Sequence, residues 1–158
     1  MTNLASQLGD DHAPASLKHA TDARALFAAS RFDGAAYLAG YAVECATKAV
    51  ILLDKAYDPA TKTIDSTALA DWHKKLRVKP FGHELAKLLA EALSGVGTSY
   101  AHLLPSVALP PIPAIVTDWK ETLRYREEHV GMSVAEDFVK AAESAGQVFV
   151  QMRLDGVL

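Results

Sequence analysis

The stretch from Arg31 to Asp54 most constrains the fold, because its pattern predicts one uninterrupted helix that is the longest in the chain. Its apolar residues recur at three- and four-residue steps, which is the spacing of one face of an α-helix. Further apolar residues widen this stripe until little polar surface is left, as is typical of a helix covered on most sides. Glu44 and Lys48 lie one turn apart and are expected to pair along the helix axis. The stretch therefore predicts a central helix against which the other elements pack.

Further helices are predicted on both sides of this central stretch. Residues 1–13 lack periodicity and are predicted to be a flexible N-terminal tail, followed by a single domain over residues 14–158. Apolar spacing predicts helices over Ala15–Ser30, His83–Leu93, Ala114–Glu128 and Val134–Leu154, and a short helix over Ser66–Lys74. The expected fold class is all-α, an antiparallel up-and-down bundle of about five helices.

The segments between these helices carry signals for breaks and caps. Polar residues over Thr61–Ser66 predict a loop, and four prolines within Leu104–Pro113 predict an extended connection, so no strand is expected. Asp33 is expected to cap the central helix or to lie in its first turn. Ser133 and Glu136 have the spacing of a capping box at the start of the last helix.

Composition limits the class of protein. Half of the 158 residues are apolar and 22% are charged, which is ordinary for a soluble domain with a sizeable core. A net charge of −3 argues against binding of long nucleic acid over the whole surface, although it leaves room for a small local site. The single cysteine, Cys45, fits a reducing compartment. Because neither a signal peptide nor an eighteen-residue apolar run is present, we expect a cytoplasmic protein without a membrane segment.

The central stretch also carries a family resemblance. AAYLAGYAVECATKAVI resembles the second helix of HEPN-domain proteins, which are small α-helical bundles. The segments GHELAKLL, at Gly82 to Leu89, and Trp119 to His129 extend the resemblance, so that it covers the chain from about Ser16 to its end. The resemblance implies the same helical bundle and a homodimer that forms near the active groove.

The HEPN resemblance also implies site residues. In many HEPN ribonucleases an arginine and a histidine with four to six residues between them form the active site, and here four residues separate Arg124 from His129. Carried over, His129 is the general base or acid and Arg124 contacts the phosphate, with Glu44 orienting Arg124. Lys48 and Tyr125 are further candidates for support or phosphate contact.

The chemistry of this pair suits RNA cleavage without a metal ion. A base must deprotonate the 2′-hydroxyl and a cation must stabilise charge on the phosphorane, and imidazole and guanidinium fit these roles. On a continuous helix, side chains five residues apart point about 140° away from each other. Arg124 and His129 therefore converge only if the helix ends between them, as Gly131 allows, or if two chains meet there.

Two other observations favour a structural interpretation of the same segment. Tyr125 stands where active HEPN members place a small polar residue, and Glu127 and Glu128 add negative charge where a phosphate would approach. In this interpretation Arg124 pairs with Glu44, and His129 is a polar residue near a helix end.

Two functions therefore stay open. One is a metal-independent endoribonuclease, the toxin of a toxin–antitoxin pair with a minimal nucleotidyltransferase as its partner. The other is a non-catalytic dimeric module that binds a nucleotide or a partner protein, or that serves assembly alone. No metal or other cofactor is predicted for either function, because the histidines lack metal-ligand spacing and the sequence has no phosphate-binding loop.

Overall fold

The computed structural model describes residues 12–58, 60–61, 63–68, 70–71, 85, 88, 90, 119–120, 123 and 129–155. These residues are mostly helical, which confirms the all-α class. Three long helices are α1 (His12–Ala28), α2 (Phe32–Ala56) and α3 (Met132–Leu154), and two short strands are β1 (Tyr57–Asp58) and β2 (Thr63–Ile64). Residues 66–68, 70–71, 85, 88 and 90 are also helical.

Helix α2 is the central element of the described part of the chain. It contacts both α1 and α3, and α1 also contacts α3. Alanines fill most of the inner faces and let the helices approach closely, and they include Ala35, Ala39, Ala42, Ala46, Ala135, Ala142 and Ala145, all fully buried. Phe138, Phe149 and Met152 supply the large core side chains of α3. The predicted central helix is thus confirmed, although it ends two residues later than expected.

Helix α1 begins at His12, so the last two residues of the predicted tail belong to it. Both His12 and Ala13 are buried. Pro14 does not prevent this earlier start, because the N–H groups of a first helical turn have no intrahelical acceptor to lose. The buried Ser16 hydroxyl donates to the carbonyl of Ala42 at 2.7 Å, which ties α1 to α2 inside the core.

A small hairpin follows α2 where only a loop was expected. Strand β1 pairs with β2 in antiparallel register, so the prediction of no strand is wrong. The Asp58 carboxylate accepts hydrogen bonds from the N–H of Ala60 and the hydroxyl of Thr61, both at 2.9 Å. These local contacts stabilise the turn, and strands of two residues are too short to produce an alternating apolar pattern in the sequence.

The start of α3 differs from the predicted capping box. Gly131 is the N-cap residue, and no side-chain hydrogen bond caps the helix. The carbonyl of Gly131 accepts from the N–H of Ala135 at 3.0 Å, which places Ser133 inside the first turn rather than before it. Glu136 instead pairs with Lys140 at 2.8 Å. Gly131 therefore separates the helix from the preceding segment, as expected, but the capping box is wrong.

The predicted helix over Ala114–Glu128 is wrong at the residues that the structure describes. Trp119 and Lys120 are not helical, and Leu123 lies in a 3₁₀ turn whose N–H donates to Lys120 O at 2.9 Å. The Trp119 side chain is only 3% exposed and its Nε1–H donates to the carbonyl of Tyr37 at 3.1 Å. We attribute the difference to this tertiary contact, because tertiary packing commonly overrides a weak helix propensity.

Among the described residues, one helix is long and apolar enough to span a membrane, and it is α2. In the structure 78% of its apolar window is buried, and Glu44 and Lys48 lie within it. The core helix of a soluble protein satisfies the same criteria of length and composition, so this finding is weak evidence for a membrane segment.

Candidate functional site

A surface cleft of about 300 Å³ lies where the turn between α1 and α2 meets the segment before α3. Its lining consists of Ser30, Arg31, Phe32, Asp33, Gly34, His129 and Val130. The sequence-predicted residue His129 is therefore a cleft residue.

The turn that forms one wall of the cleft is a Schellman motif. The N–H of Ser30 donates to Phe27 O and the N–H of Arg31 donates to Leu26 O, both at 2.9 Å. Ser30 has a φ of 58°, the left-handed conformation that this motif requires after the end of a helix. The motif ends α1 and starts α2 within a few residues, which brings Arg31 and Asp33 to the cleft.

Asp33 connects the two walls of the cleft. It lies in the first turn of α2, and its Oδ1 accepts a hydrogen bond from the N–H of Val130 at 2.5 Å. Its Oδ2 lies 3.2 Å from Nδ1 of His129. The hydrogen bond from Val130 lowers the pKa of Asp33 below its usual value, and the contact with His129 adds to this effect. The carboxylate is therefore ionised at neutral pH.

The His129 side chain is 91% exposed. Because a carboxylate has only acceptors, Nδ1 must carry the proton of the contact with Asp33. In the neutral ring this leaves the lone pair on Nε2, which is the form that accepts a proton from a substrate. The arrangement is chemically suited to a general base that is supported by an acid on its other nitrogen.

Arg31 adds a cation to the cleft. Arg31 is exposed, and it is one of the residues that line the cleft together with His129. A guanidinium contacts a phosphate through several N–H donors in a fixed fork, so this residue suits recognition of an anionic ligand.

Sequence reasoning missed both Arg31 and Asp33 as site residues. It placed both residues only at the start of the predicted central helix. Asp33 and His129 are 96 residues apart, and local spacing carries no signal for such a contact.

Glu44 and Lys48 form the predicted ion pair, and the pair lies in the core. The Lys48 Nζ lies 2.6 Å from Glu44 Oε1, and the two side chains are 7% and 1% exposed, respectively. Neither residue belongs to the cleft lining. Buried charges need such a partner, because removing them from water costs several kcal/mol for each ion by order of magnitude.

Arg124 and Tyr125 lie outside the residues that the structure describes. The pairing of Arg124 with His129, and the proposed support of Arg124 by Glu44, therefore stay predictions.

An aromatic cluster lies further along α2, one turn and two turns after Asp33. The ring of Tyr41 makes edge contacts with the rings of Tyr37 and Trp119 at centroid distances of 5.0 and 5.1 Å, respectively. His19 of α1 packs against Tyr41 at 5.8 Å, and burial lowers the pKa of His19. This cluster holds Trp119 in the core, where its side chain is buried.

Across the described ranges, no three His, Cys, Asp or Glu side chains are arranged to hold a metal ion. No protein-family model matches this chain, and no curated protein or solved structure matches it significantly. The structure alone defines a helical protein in which Arg31, Asp33 and His129 line one surface cleft.

Proposed function

We propose that this chain is a HEPN-domain protein that cleaves RNA without a metal ion, and that it acts as the toxin of a toxin–antitoxin pair. The observation that carries the proposal is the exposed imidazole of His129 in a cleft, with a carboxylate at its Nδ1. The sequence resemblance supplies the family, and this contact supplies a general base of the kind that the reaction needs.

In the proposed reaction, His129 Nε2 takes the proton of a ribose 2′-hydroxyl. The 2′-oxygen then forms a bond to phosphorus while the bond from phosphorus to the 5′-oxygen breaks and that oxygen takes up a proton. Two guanidinium groups would stabilise the negative phosphorane. Arg124 is assigned this role by the family resemblance, and Arg31 is assigned it because it lines the cleft. The products would carry a 2′,3′-cyclic phosphate and a 5′-hydroxyl.

The proposal includes the finer architecture expected from the sequence. It is an antiparallel bundle of about five helices that forms a cytoplasmic homodimer, in which two Arg124–His129 motifs share one groove. A minimal nucleotidyltransferase is the proposed antitoxin partner. The mutual contacts of α1, α2 and α3 are compatible with such a bundle.

The chemistry of the product ends tests the reaction. We expect the purified protein to cleave RNA in the presence of EDTA and to leave 2′,3′-cyclic phosphate and 5′-hydroxyl ends. A matched substrate with 2′-deoxyribose at the cleaved position should resist, because it lacks the attacking hydroxyl. Cleavage of the deoxy substrate, or products with 3′-hydroxyl ends, would contradict the mechanism.

A second candidate function is a non-catalytic module that binds a nucleotide or a partner protein. It is favoured by the way Asp33 uses both carboxylate oxygens to hold residues 129–130 against α2, which is also what a purely structural contact would do. Calorimetric titration with ATP distinguishes the two functions. Saturable ATP binding by a protein that leaves RNA intact would support the module and exclude the ribonuclease.

A further inference from the structure

We infer that Asp33 is a positioning residue that fixes the tautomer and the orientation of His129. The catalytic consequence of this inference rests on the proposed ribonuclease function, whereas the structural part does not. Asp33 was expected only to start the central helix, and nothing in the HEPN resemblance assigned it to the site.

The geometry gives the two carboxylate oxygens separate roles. Oδ1 accepts from the N–H of Val130 at 2.5 Å, which anchors the carboxylate to the backbone immediately after His129. Oδ2 is then held 3.2 Å from Nδ1 of the His129 ring. Because Oδ1 accepts from the backbone, Oδ2 is the oxygen that faces the imidazole.

An anchored carboxylate of this kind has a defined effect on the imidazole. It accepts a proton from Nδ1 and thereby leaves Nε2 as the unprotonated nitrogen of the neutral ring. It also stabilises the imidazolium that forms once Nε2 has taken a proton. The side chain of His129 is 91% exposed, and among the described residues Asp33 is the hydrogen-bonding partner seen at its ring.

The Asp33→Asn variant distinguishes two roles of Asp33. One is control of the His129 ring, and the other is the backbone contact that joins Val130 to α2. The asparagine Oδ1 can still accept from the Val130 N–H, so the backbone contact is kept. Its Nδ2 group is a donor, which favours an unprotonated Nδ1 and therefore a proton on Nε2. The variant should keep the fold while it reverses the tautomer of His129.

The first test is ¹⁵N NMR of the imidazole nitrogens in the full chain, at a pH where His129 is neutral. In the wild-type protein we expect a protonated Nδ1 and an unprotonated Nε2 for His129, and the reverse in Asp33→Asn. The His129→Ala spectrum assigns the signals. An unchanged tautomer in Asp33→Asn would overturn the inference, whether or not the protein cleaves RNA.

The second test is the rate of RNA cleavage in EDTA. We expect Asp33→Asn to lower kcat by more than about tenfold with little change in KM, because a ring protonated at Nε2 cannot act as the base. Asp33→Glu, which keeps the carboxylate, should restore part of the rate. Asp58→Asn is the matched control, since Asp58 also accepts a backbone N–H but does not line the cleft.

The two tests separate the possible failures. If the tautomer reverses but the wild-type protein does not cleave RNA, the ribonuclease proposal is wrong and the positioning role of Asp33 stands. If the wild-type protein cleaves RNA and Asp33→Asn cleaves equally fast, Asp33 has no positioning role in that reaction.

Discussion

At the scale of single residues, Asp33 joins segments that are 96 residues apart in the sequence. Its ionised form accepts the hydrogen bonds from Val130 and His129, and the Val130 N–H lowers the pKa of Asp33 in the folded protein. A carboxyl group with a lowered folded pKa stabilises the fold at a pH above its unfolded pKa. That stabilisation is lost as the pH falls through the folded pKa.

The pH dependence of stability should therefore report the Asp33 contacts. We expect Asp33→Ala to lower Tm at about pH 5 and above, where the Asp33 carboxyl is ionised because its usual pKa is about 3.9. Below about pH 4 the difference from the wild-type protein should shrink, because the wild-type carboxylate becomes protonated. Thermal unfolding followed by circular dichroism measures both proteins across this range. A difference that stays constant down to pH 2 would contradict the role of the ionised carboxylate.

At the scale of elements, periodicity in the sequence was sufficient to predict the long helices α2 and α3. Their buried faces repeat at helical spacing, so local pattern and tertiary packing agree. The hairpin after α2 and the non-helical conformation at Trp119 were not predicted. The first is held by Asp58 turn contacts, and the second by a hydrogen bond to Tyr37, which lies 82 residues away in the sequence.

Two helical glycines provide a test of the packing between elements. Helix propensity alone predicts that Gly→Ala stabilises by about 1 kcal/mol at either position. A Cβ at Gly146 would lie 3.6 Å from Leu17 Cδ2, which is ordinary van der Waals contact, whereas a Cβ at Gly40 would overlap the Trp119 indole.

We therefore expect opposite effects from the same substitution. Gly146→Ala should raise the free energy of unfolding, while Gly40→Ala should lower it by about 1–3 kcal/mol because Trp119 must move. Denaturant unfolding measures both changes, and near-UV circular dichroism reports the displacement of the indole. Equal stabilisation by both substitutions would show that Trp119 does not pack against Gly40.

Two ion pairs with the same helical spacing test the importance of burial. Glu44–Lys48 lies in the core, whereas Glu136–Lys140 lies on the surface of α3. Lys48→Met should lower the free energy of unfolding by about 1.5–3 kcal/mol, because the buried Glu44 carboxylate loses a hydrogen bond to a charged group. Lys140→Met, the matched control, should change Tm little because water solvates Glu136. Similar Tm values for the two variants would contradict a buried Glu44–Lys48 pair.

At the scale of the whole molecule, the cleft depends on the packing of the three long helices. One wall is the turn between α1 and α2, and the other is the segment that leads into α3. Arg24 of α1 binds Glu143 of α3 through two hydrogen bonds of 2.7 and 2.5 Å, which adds a surface contact between the outer helices. The sequence predicted His129 through the HEPN resemblance, but only the three-dimensional fold brings Arg31 and Asp33 beside it.

The central claim is that His129 acts as the base in RNA cleavage, and the most direct measurement compares wild-type protein with His129→Ala on one RNA in EDTA. We expect the wild-type protein to cleave and the variant to be slower by about 100-fold or more, since a general base contributes roughly that factor. Thermal unfolding of the variant should show a folded protein, because the side chain of His129 is exposed. Cleavage by folded His129→Ala at the wild-type rate would contradict the claim.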